Sequence, residues 1–112
     1  AVEQCRQALQ LDVEFGYKVE EAVCRRILAR ALAGLGNRTQ ARLEFEQSLS
    51  CLVGRQRNYE LACSLFDYAR FLTTEQESEA AIQRLAEAAT IFRRLGITVC
   101  DGIRITVPPR QH

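Results

Sequence analysis

The sequence predicts an all-α protein in which antiparallel helical hairpins stack as an array. Two observations support this prediction. A step of forty residues places small residues on small residues and large apolar residues on large ones; the matched pairs are Ala22/Ala62, Ala29/Ala69, Leu32/Leu72, Ala41/Ala81 and Phe45/Leu85. Apolar residues also recur at helical spacing, in segments that end at a glycine. Both features are typical of repeated helical units that bury their shared faces.

Five helices are expected from this pattern. The first ends before Gly16, the second covers about 19–35, the third runs through Leu52, the fourth through Leu72, and the fifth from Glu75 or Glu79 to about Leu95. The starts are predicted from side-chain caps: a capping box of Asn37 and Gln40 for the third helix, Asn58 for the fourth, and Thr74 with Glu77, or Ser78, for the fifth. Phe45 and Leu85 are expected to fill equivalent gaps inside their hairpins. An ordinary five-helix bundle is the alternative.

The residues of the repeat resemble a known family. The run Ala29-Arg-Ala-Leu32, then Leu35-Gly36-Asn37-Arg-Thr-Gln-Ala41, then Phe45, Ser48 and Leu49, resembles the tetratricopeptide repeat. The second copy keeps Ala69, Leu72, Ala81, Leu85 and Ala88 but has Gln76-Glu77 at the turn. The resemblance implies a right-handed solenoid over 1–96, with a partial repeat at 1–16 and repeats at 17–56 and 57–96.

The length of the repeat adds a second resemblance. Forty residues exceed the usual 34, and a long repeat ending in Ile91-Phe-Arg-Arg-Leu-Gly96 is similar to the C-terminal tetratricopeptide regions of large bacterial regulators. Those regulators carry an ATPase module and sometimes a nucleotide cyclase or a DNA-binding domain. The resemblance therefore implies either a protein-interaction scaffold or a sensor segment that controls an upstream ATPase, cyclase or transcription-factor domain in signal transduction. We expect a cytoplasmic location because the sequence shows no signal peptide. We expect a fragment of a larger protein because the sequence contains no methionine and its first sixteen residues match only the second half of a repeat.

Composition and motifs argue against other classes of function. The formal net charge is +1, and there is neither a charge excess nor a set of base-stacking aromatics that would indicate nucleic-acid binding. No apolar run is long enough to cross a membrane. Five cysteines without a CxxC pair, and a single terminal His112, do not form a zinc or nucleophile motif. We expect a non-enzymatic protein without metal or cofactor, in which the cysteines of the helices serve as small core residues.

A partner-binding surface follows from the family geometry, in which the first helices of successive repeats line a concave groove. Carried over by position, the binding residues are Arg26, Arg30, Phe66, Arg70 and Thr73. Arg30 and Arg70 are equivalent across the forty-residue step, and their guanidinium groups suit a carboxylate or an acidic peptide. The alternative is that these arginines are solvated and pair with Glu20, Glu21, Glu60 or Asp67 at helical spacing.

The end of the chain differs from the repeats. Ile97 to Cys100, then Asp101-Gly102, then Ile103 to Val107 predicts a β-hairpin in the 97–112 tail, with Cys100 opposite Ile103 and Thr98 opposite Ile105. A frayed linker toward Pro108-Pro109 is equally compatible with the pattern. The fifth helix carries a second apolar side of Ile82, Ala86 and Ala89, from which we expect self-association as a homodimer or cover by another segment.

Overall fold

The computed structural model describes residues 2–100 and 103–106. Five α-helices and two short strands follow one another: α1 (Val2–Phe15), α2 (Lys18–Gly34), α3 (Arg38–Leu52), α4 (Asn58–Thr74), α5 (Ser78–Arg94), β1 (Ile97–Cys100) and β2 (Ile103–Thr106). The predicted helical class is confirmed for residues 2–94. None of the helices described is long and apolar enough to cross a membrane.

The helices pack as successive antiparallel neighbours. α2 packs on α3 and α4 on α5, while α1 lies against α2. The contacts set the direction of the first pair: Arg25 meets Glu44, whereas Ala22, earlier on α2, meets Ser48, later on α3. α4 also contacts both α2 and α3. Arg26 and Arg30 of α2 approach Glu60 and Asp67 of α4 in the same order, so α2 and α4, equivalent across the forty-residue step, lie parallel.

The turns between paired helices use backbone geometry and no side-chain caps. The predicted caps are wrong: Asn37 occupies the N-cap position of α3 without a side-chain hydrogen bond, Asn58 is already helical, and α5 begins at Ser78 after an uncapped Glu77. Each preceding helix instead ends in a left-handed residue, Gly36 (φ 84°) or Gln76 (φ 62°). Because these residues redirect the chain, the amides of Asn37 and Glu77 bond back to the carbonyls of Leu32 and Leu72, at 2.9 and 3.0 Å.

A central apolar cluster joins the two hairpins. It contains the small residues Ala29, Ala41 and Ala81 of the repeat, all buried, and three aromatic rings from α3 and α4. The ring centroids of Phe45 lie 5.3 Å from Tyr68 and 5.6 Å from Phe71. From the position of Phe45 we expected Leu85 to fill the equivalent gap in the second hairpin, and this prediction is wrong. Leu85 is 45% exposed, because no third hairpin covers it within the part of the chain that the structure describes.

Buried polar groups at the contact between the two hairpins form hydrogen bonds with one another. The buried Ser48 hydroxyl donates to the carbonyl of Ala22 at 2.7 Å and lies 2.8 Å from the hydroxyl of Ser64. This short chain of bonds joins α2, α3 and α4. Small hydroxyl side chains therefore allow close helix approach here without leaving a buried polar atom unpaired.

The tail is described only in part. β1 and β2 pair antiparallel with Thr98 opposite Ile105 and Cys100 opposite Ile103, and β1 contacts α5. The proposed Asp101-Gly102 turn, Val107 and the Pro108-Pro109 segment lie outside the described residues, as do Ala1 and His112. The hairpin as a unit stays a prediction.

Candidate functional site

A cleft of about 390 Å³ lies between the C-terminal halves of α2 and α4. Its floor is apolar, since Phe45, Phe71 and Ala33 line it, and its rim is charged. The charged lining residues are three arginines, Arg30, Arg38 and Arg70, and two carboxylates, Asp67 and Glu75. An apolar floor with convergent charged groups is a typical arrangement for recognition of a polar ligand.

Arg30 stands at the α2 side of the cleft. Its side chain is 60% exposed, and its guanidinium lies 4.0 Å from the Asp67 carboxylate. Asp67 is already held at 3.2 Å by Arg26, whose side chain is only 12% exposed. Because Arg26 holds Asp67 more closely, Asp67 neutralises Arg30 only weakly.

Arg26 does not point into the groove, contrary to the sequence prediction. It is an internal ion-pair residue between α2 and α4, with Glu60 at 3.5 Å and Asp67 at 3.2 Å. Both partners had been considered, but as neighbours at helical spacing within one helix. Tertiary packing instead brings Arg26 to Glu60, which is 34 positions later in the sequence, and to Asp67, which is 41 positions later. The buried Nε of Arg26 has no hydrogen-bond partner among the described residues.

Arg70 stands at the α4 side of the cleft. Its guanidinium carbon lies 6.0 Å from the centre of the Phe66 ring, at cation–π distance. Within residues 2–100 and 103–106, no carboxylate lies within ion-pair distance of Arg70. The exposed Arg70 guanidinium therefore lies at the rim beside the Phe66 ring, without an ion-pair partner in the part of the chain that the structure describes.

Phe66 and Thr73 lie on the other side of Arg70. Together with Arg70 they line a second cleft of about 310 Å³ between α4 and α5, which also includes Ile82 and Leu85. The hydroxyl of Thr73 donates to the carbonyl of Ala69 at 3.0 Å. The structure thus brings Arg30 and Arg70 into one cleft, and Phe66, Arg70 and Thr73 into its neighbour.

Sequence reasoning missed Arg38 and Glu75. Arg38 opens α3 and is 69% exposed, and its Nε lies 3.3 Å from Oε2 of Glu75, just after α4. Arg38 was not identified because the repeat places a serine, Ser78, at the equivalent position. Only packing of the second hairpin against the first brings the start of α3 to the rim beside Arg30 and Arg70.

The cysteines of the described helices are packing residues. Cys51 and Cys63 are buried, and Cys5 and Cys24 are partly buried; the side chain of Cys100 lies outside the description. Burial, together with a hydrogen bond to Asp12 at 3.1 Å, raises the pKa of Cys24 to about 12, so the thiol stays protonated at neutral pH. Among the residues that the structure describes, no cluster of three or more metal-ligating side chains occurs.

The outer face of α5 carries the residues predicted to self-associate. Ile82 is 66% exposed, Ala86 is exposed, and Ala89 is partly buried. Ile82 also borders the second cleft. The face is therefore apolar and open over the part of the chain described.

Comparison of the chain with family models, with curated proteins and with solved structures finds no significant match. The function proposed below therefore rests on the geometry of the clefts and on the repeat.

Proposed function

We propose that the protein is a non-catalytic interaction module whose hairpins stack as a tetratricopeptide-like right-handed solenoid. The internal repeat supports this architecture: α2 and α4 occupy equivalent positions in the sequence, lie parallel, and each pairs with the helix that follows it. A translational repeat of helical hairpins requires this relation. In such an array the first helices of neighbouring repeats form a continuous surface.

The partner is an acidic protein segment that binds across the first cleft. One observation carries this proposal: Arg70 is positioned by the Phe66 ring without a carboxylate partner among the described residues, while Arg30 is largely exposed in the same cleft. A guanidinium offers planar, paired donors that match a carboxylate. An already positioned guanidinium also loses less side-chain entropy on binding.

The surrounding residues have distinct roles in this proposal. Arg26 pairs with Asp67 more closely than Arg30 does, which leaves Arg30 available to the partner. Arg38 supplies a third cation, which the partner shares with Glu75. Phe66 and Thr73 contact the part of the partner that passes over Arg70 into the second cleft.

Fluorescence anisotropy with a labelled peptide tests the proposal. The probe is a peptide of about twelve residues rich in aspartate and glutamate, compared with a version in which every acid is replaced by its amide. The acidic peptide is expected to bind and the amide version to bind weakly. Replacing both Arg30→Ala and Arg70→Ala is expected to weaken binding by at least about tenfold and to reduce its dependence on salt.

The matched control is Arg57→Ala with Arg94→Ala. These exposed arginines lie outside both clefts, and their replacement changes the net charge by the same amount. Equal loss of binding in the two double variants would mean that the peptide responds to the net charge of the protein and not to the proposed site. Unchanged binding in the Arg30/Arg70 variant would refute the proposed site.

A further inference from the structure

Among the residues that the structure describes, no helix packs on one face of α5, which is contacted only by α4 and β1. Glu79, Ile82, Ala86, Ala89 and Arg93 follow one another at three or four residues and therefore form a single stripe along the helix. The opposite face of α5, with Ala81, Ala88 and Phe92, is buried against α4. We refer to the first set as the α5 stripe. Its centre is apolar, and its two ends carry opposite charges.

The repeat shows that the equivalent face of α3 is a packing face. The positions forty residues earlier than Ile82, Ala86 and Ala89 are Arg42, Glu46 and Leu49. Arg42 pairs with Glu77 and lies 5.7 Å over the ring of Phe71. Glu46 accepts a hydrogen bond from the Tyr68 hydroxyl, and Leu49 packs on two of the apolar clusters. In the first hairpin this face is thus covered by the second hairpin.

The substitutions between the two faces indicate a different partner for α5. At the centre of the α3 face, Arg42 and Glu46 bind Glu77 and Tyr68 of the next hairpin. The equivalent residues forty positions later are Ile82 and Ala86, which are apolar. The ends change the other way, because Thr39 and Val53 become Glu79 and Arg93. Neither Glu79 nor Arg93 has an ion-pair partner among the described residues. The α5 stripe therefore lacks the charged side chains with which the equivalent face of α3 binds the following hairpin.

The stripe is complementary to itself. Glu79 and Arg93 lie seven residues before and after Ala86, so a two-fold axis through Ala86 would place each Glu79 opposite the Arg93 of an antiparallel copy. The two charges on one helix are about 21 Å apart, given 1.5 Å rise per residue. Between them Ile82 meets Thr90, and Ala86 meets its own copy, where a small side chain permits close approach of the helix axes.

We infer that the α5 stripe is a homodimer interface, in which α5 of one protomer packs antiparallel on α5 of a second copy. The contact buries Ile82, Ala86 and Ala89 and closes two Glu79–Arg93 ion pairs. A single helix-to-helix contact is small, so the dimer is weak and forms in the micromolar concentration range. The first cleft includes no residue of the α5 stripe, whereas Ile82 also borders the second cleft beside Arg70.

Sedimentation equilibrium from about 1 to 200 µM tests the inference. The parent is expected to be a dimer at the upper concentrations. Either Glu79→Arg or Arg93→Glu places like charges at both ends of the contact and is expected to weaken the dimer at least tenfold. The double variant Glu79→Arg/Arg93→Glu reverses both ends and is expected to dimerise within about threefold of the parent. An equimolar mixture of the two single variants is expected to associate more tightly than either alone, because their stripes are complementary in charge.

Arg94→Glu is the matched control, because Arg94 is in the same last turn of α5 but on a different face. Both arginines complement the helix dipole, so a dipole effect would change the stability of the two variants equally and would leave association unchanged. Circular dichroism checks that each variant is folded. A monomeric parent at every concentration, a dimer insensitive to all the charge changes, or equal loss with Arg93→Glu and Arg94→Glu would each overturn the inference.

Discussion

Arg25 permits two carboxylates to be buried in the first hairpin. It donates to Glu21 on its own helix at 2.8 Å and to Glu44 on α3 at 2.9 Å. Glu21 and Glu44 are only 3% and 5% exposed. Charged side chains rarely reach such burial unless they are paired. The arrangement links α2 to α3 through one guanidinium and two acids.

The environment of Glu21 predicts a loss of stability in acid. Burial alone would raise the pKa of Glu21, but hydrogen bonds from Arg25 and Cys51, and the charge of Arg25, outweigh burial and lower it. Since the pKa is lower in the folded state, ionised Glu21 contributes stability above its unfolded pKa of about 4.3 and loses it as pH falls through the folded pKa. Urea unfolding at successive pH values from neutral to acidic should show this decrease.

Glu21→Gln tests the origin of that decrease. At neutral pH the variant is expected to be less stable by about 1–3 kcal/mol, because charge-assisted hydrogen bonds are lost. Its stability should also fall less than that of the parent as pH decreases. The exposed Glu14 on α1 offers the control Glu14→Gln; if that variant changed the pH profile as much as Glu21→Gln does, Glu21 would not be the source.

At the scale of the elements, the two helical hairpins share a turn but differ in its key residue. Gly36 and Gln76 are equivalent across the forty-residue step and both have positive φ. Glycine adopts this region without steric cost, whereas a residue with a Cβ is strained there by about 1–2 kcal/mol. Gln76 keeps the turn because packing of α4 on α5 outweighs that strain.

Gln76→Gly is therefore expected to stabilise the protein by about 1 kcal/mol, and Gly36→Gln to destabilise it by a similar amount. A Cβ at Gly36 would meet no atom within 4 Å, so the effect of that variant reports the backbone and not a clash. Thermal or urea unfolding of the two reciprocal variants measures both changes. Destabilisation by Gln76→Gly would contradict the strain at this turn.

At the scale of the whole molecule, the core is built from the four helices α2, α3, α4 and α5 and includes α1 only at its edge. α1 has no buried residue; Val2, Cys5 and Leu9 are half-buried against the central cluster. Segments with few buried apolar contacts open locally at a lower free energy than the global unfolding.

Hydrogen exchange under native conditions should resolve this difference. Central amides of α1 are expected to exchange at least about tenfold faster than those of α4, whose buried residues lie in two of the clusters. The glycine-ended turns provide the fast-exchange reference. Equal protection of α1 and α4 would mean that α1 unfolds together with the core.

Much of the fold could be predicted because it depends on local periodicity. Ala29, Ala41, Ala69 and Ala81 were expected at close helix crossings from the repeat alone, and all are buried. Leu85 was misjudged, since its burial depends on a neighbour beyond the second hairpin. The caps failed because hydrogen bonds between backbone groups, with Gly36 and Gln76 left-handed, close the turns instead.

The candidate site was less accessible to sequence reasoning. Equivalence across forty residues identified Arg30 and Arg70, and both line the cleft. The same equivalence placed Arg26 in the groove, although it is held internally by Glu60 and Asp67 of the next hairpin. No periodicity identified Arg38, because its place at the rim depends on the position of α3 relative to α4.

The sequence by itself determined the helices, their order and the repeat, since helical spacing and volume matching act between residues close in the chain or one period apart. Tertiary structure alone decided which charged side chains form ion pairs inside the fold and which remain exposed to solvent. Arg25 and Arg26 form ion pairs with carboxylates on helices that meet only after folding. Arg70 instead lies beside an aromatic ring and has no carboxylate partner among the described residues. Charge pairing depends on distances of a few ångströms between segments far apart in sequence, and those distances are set by packing.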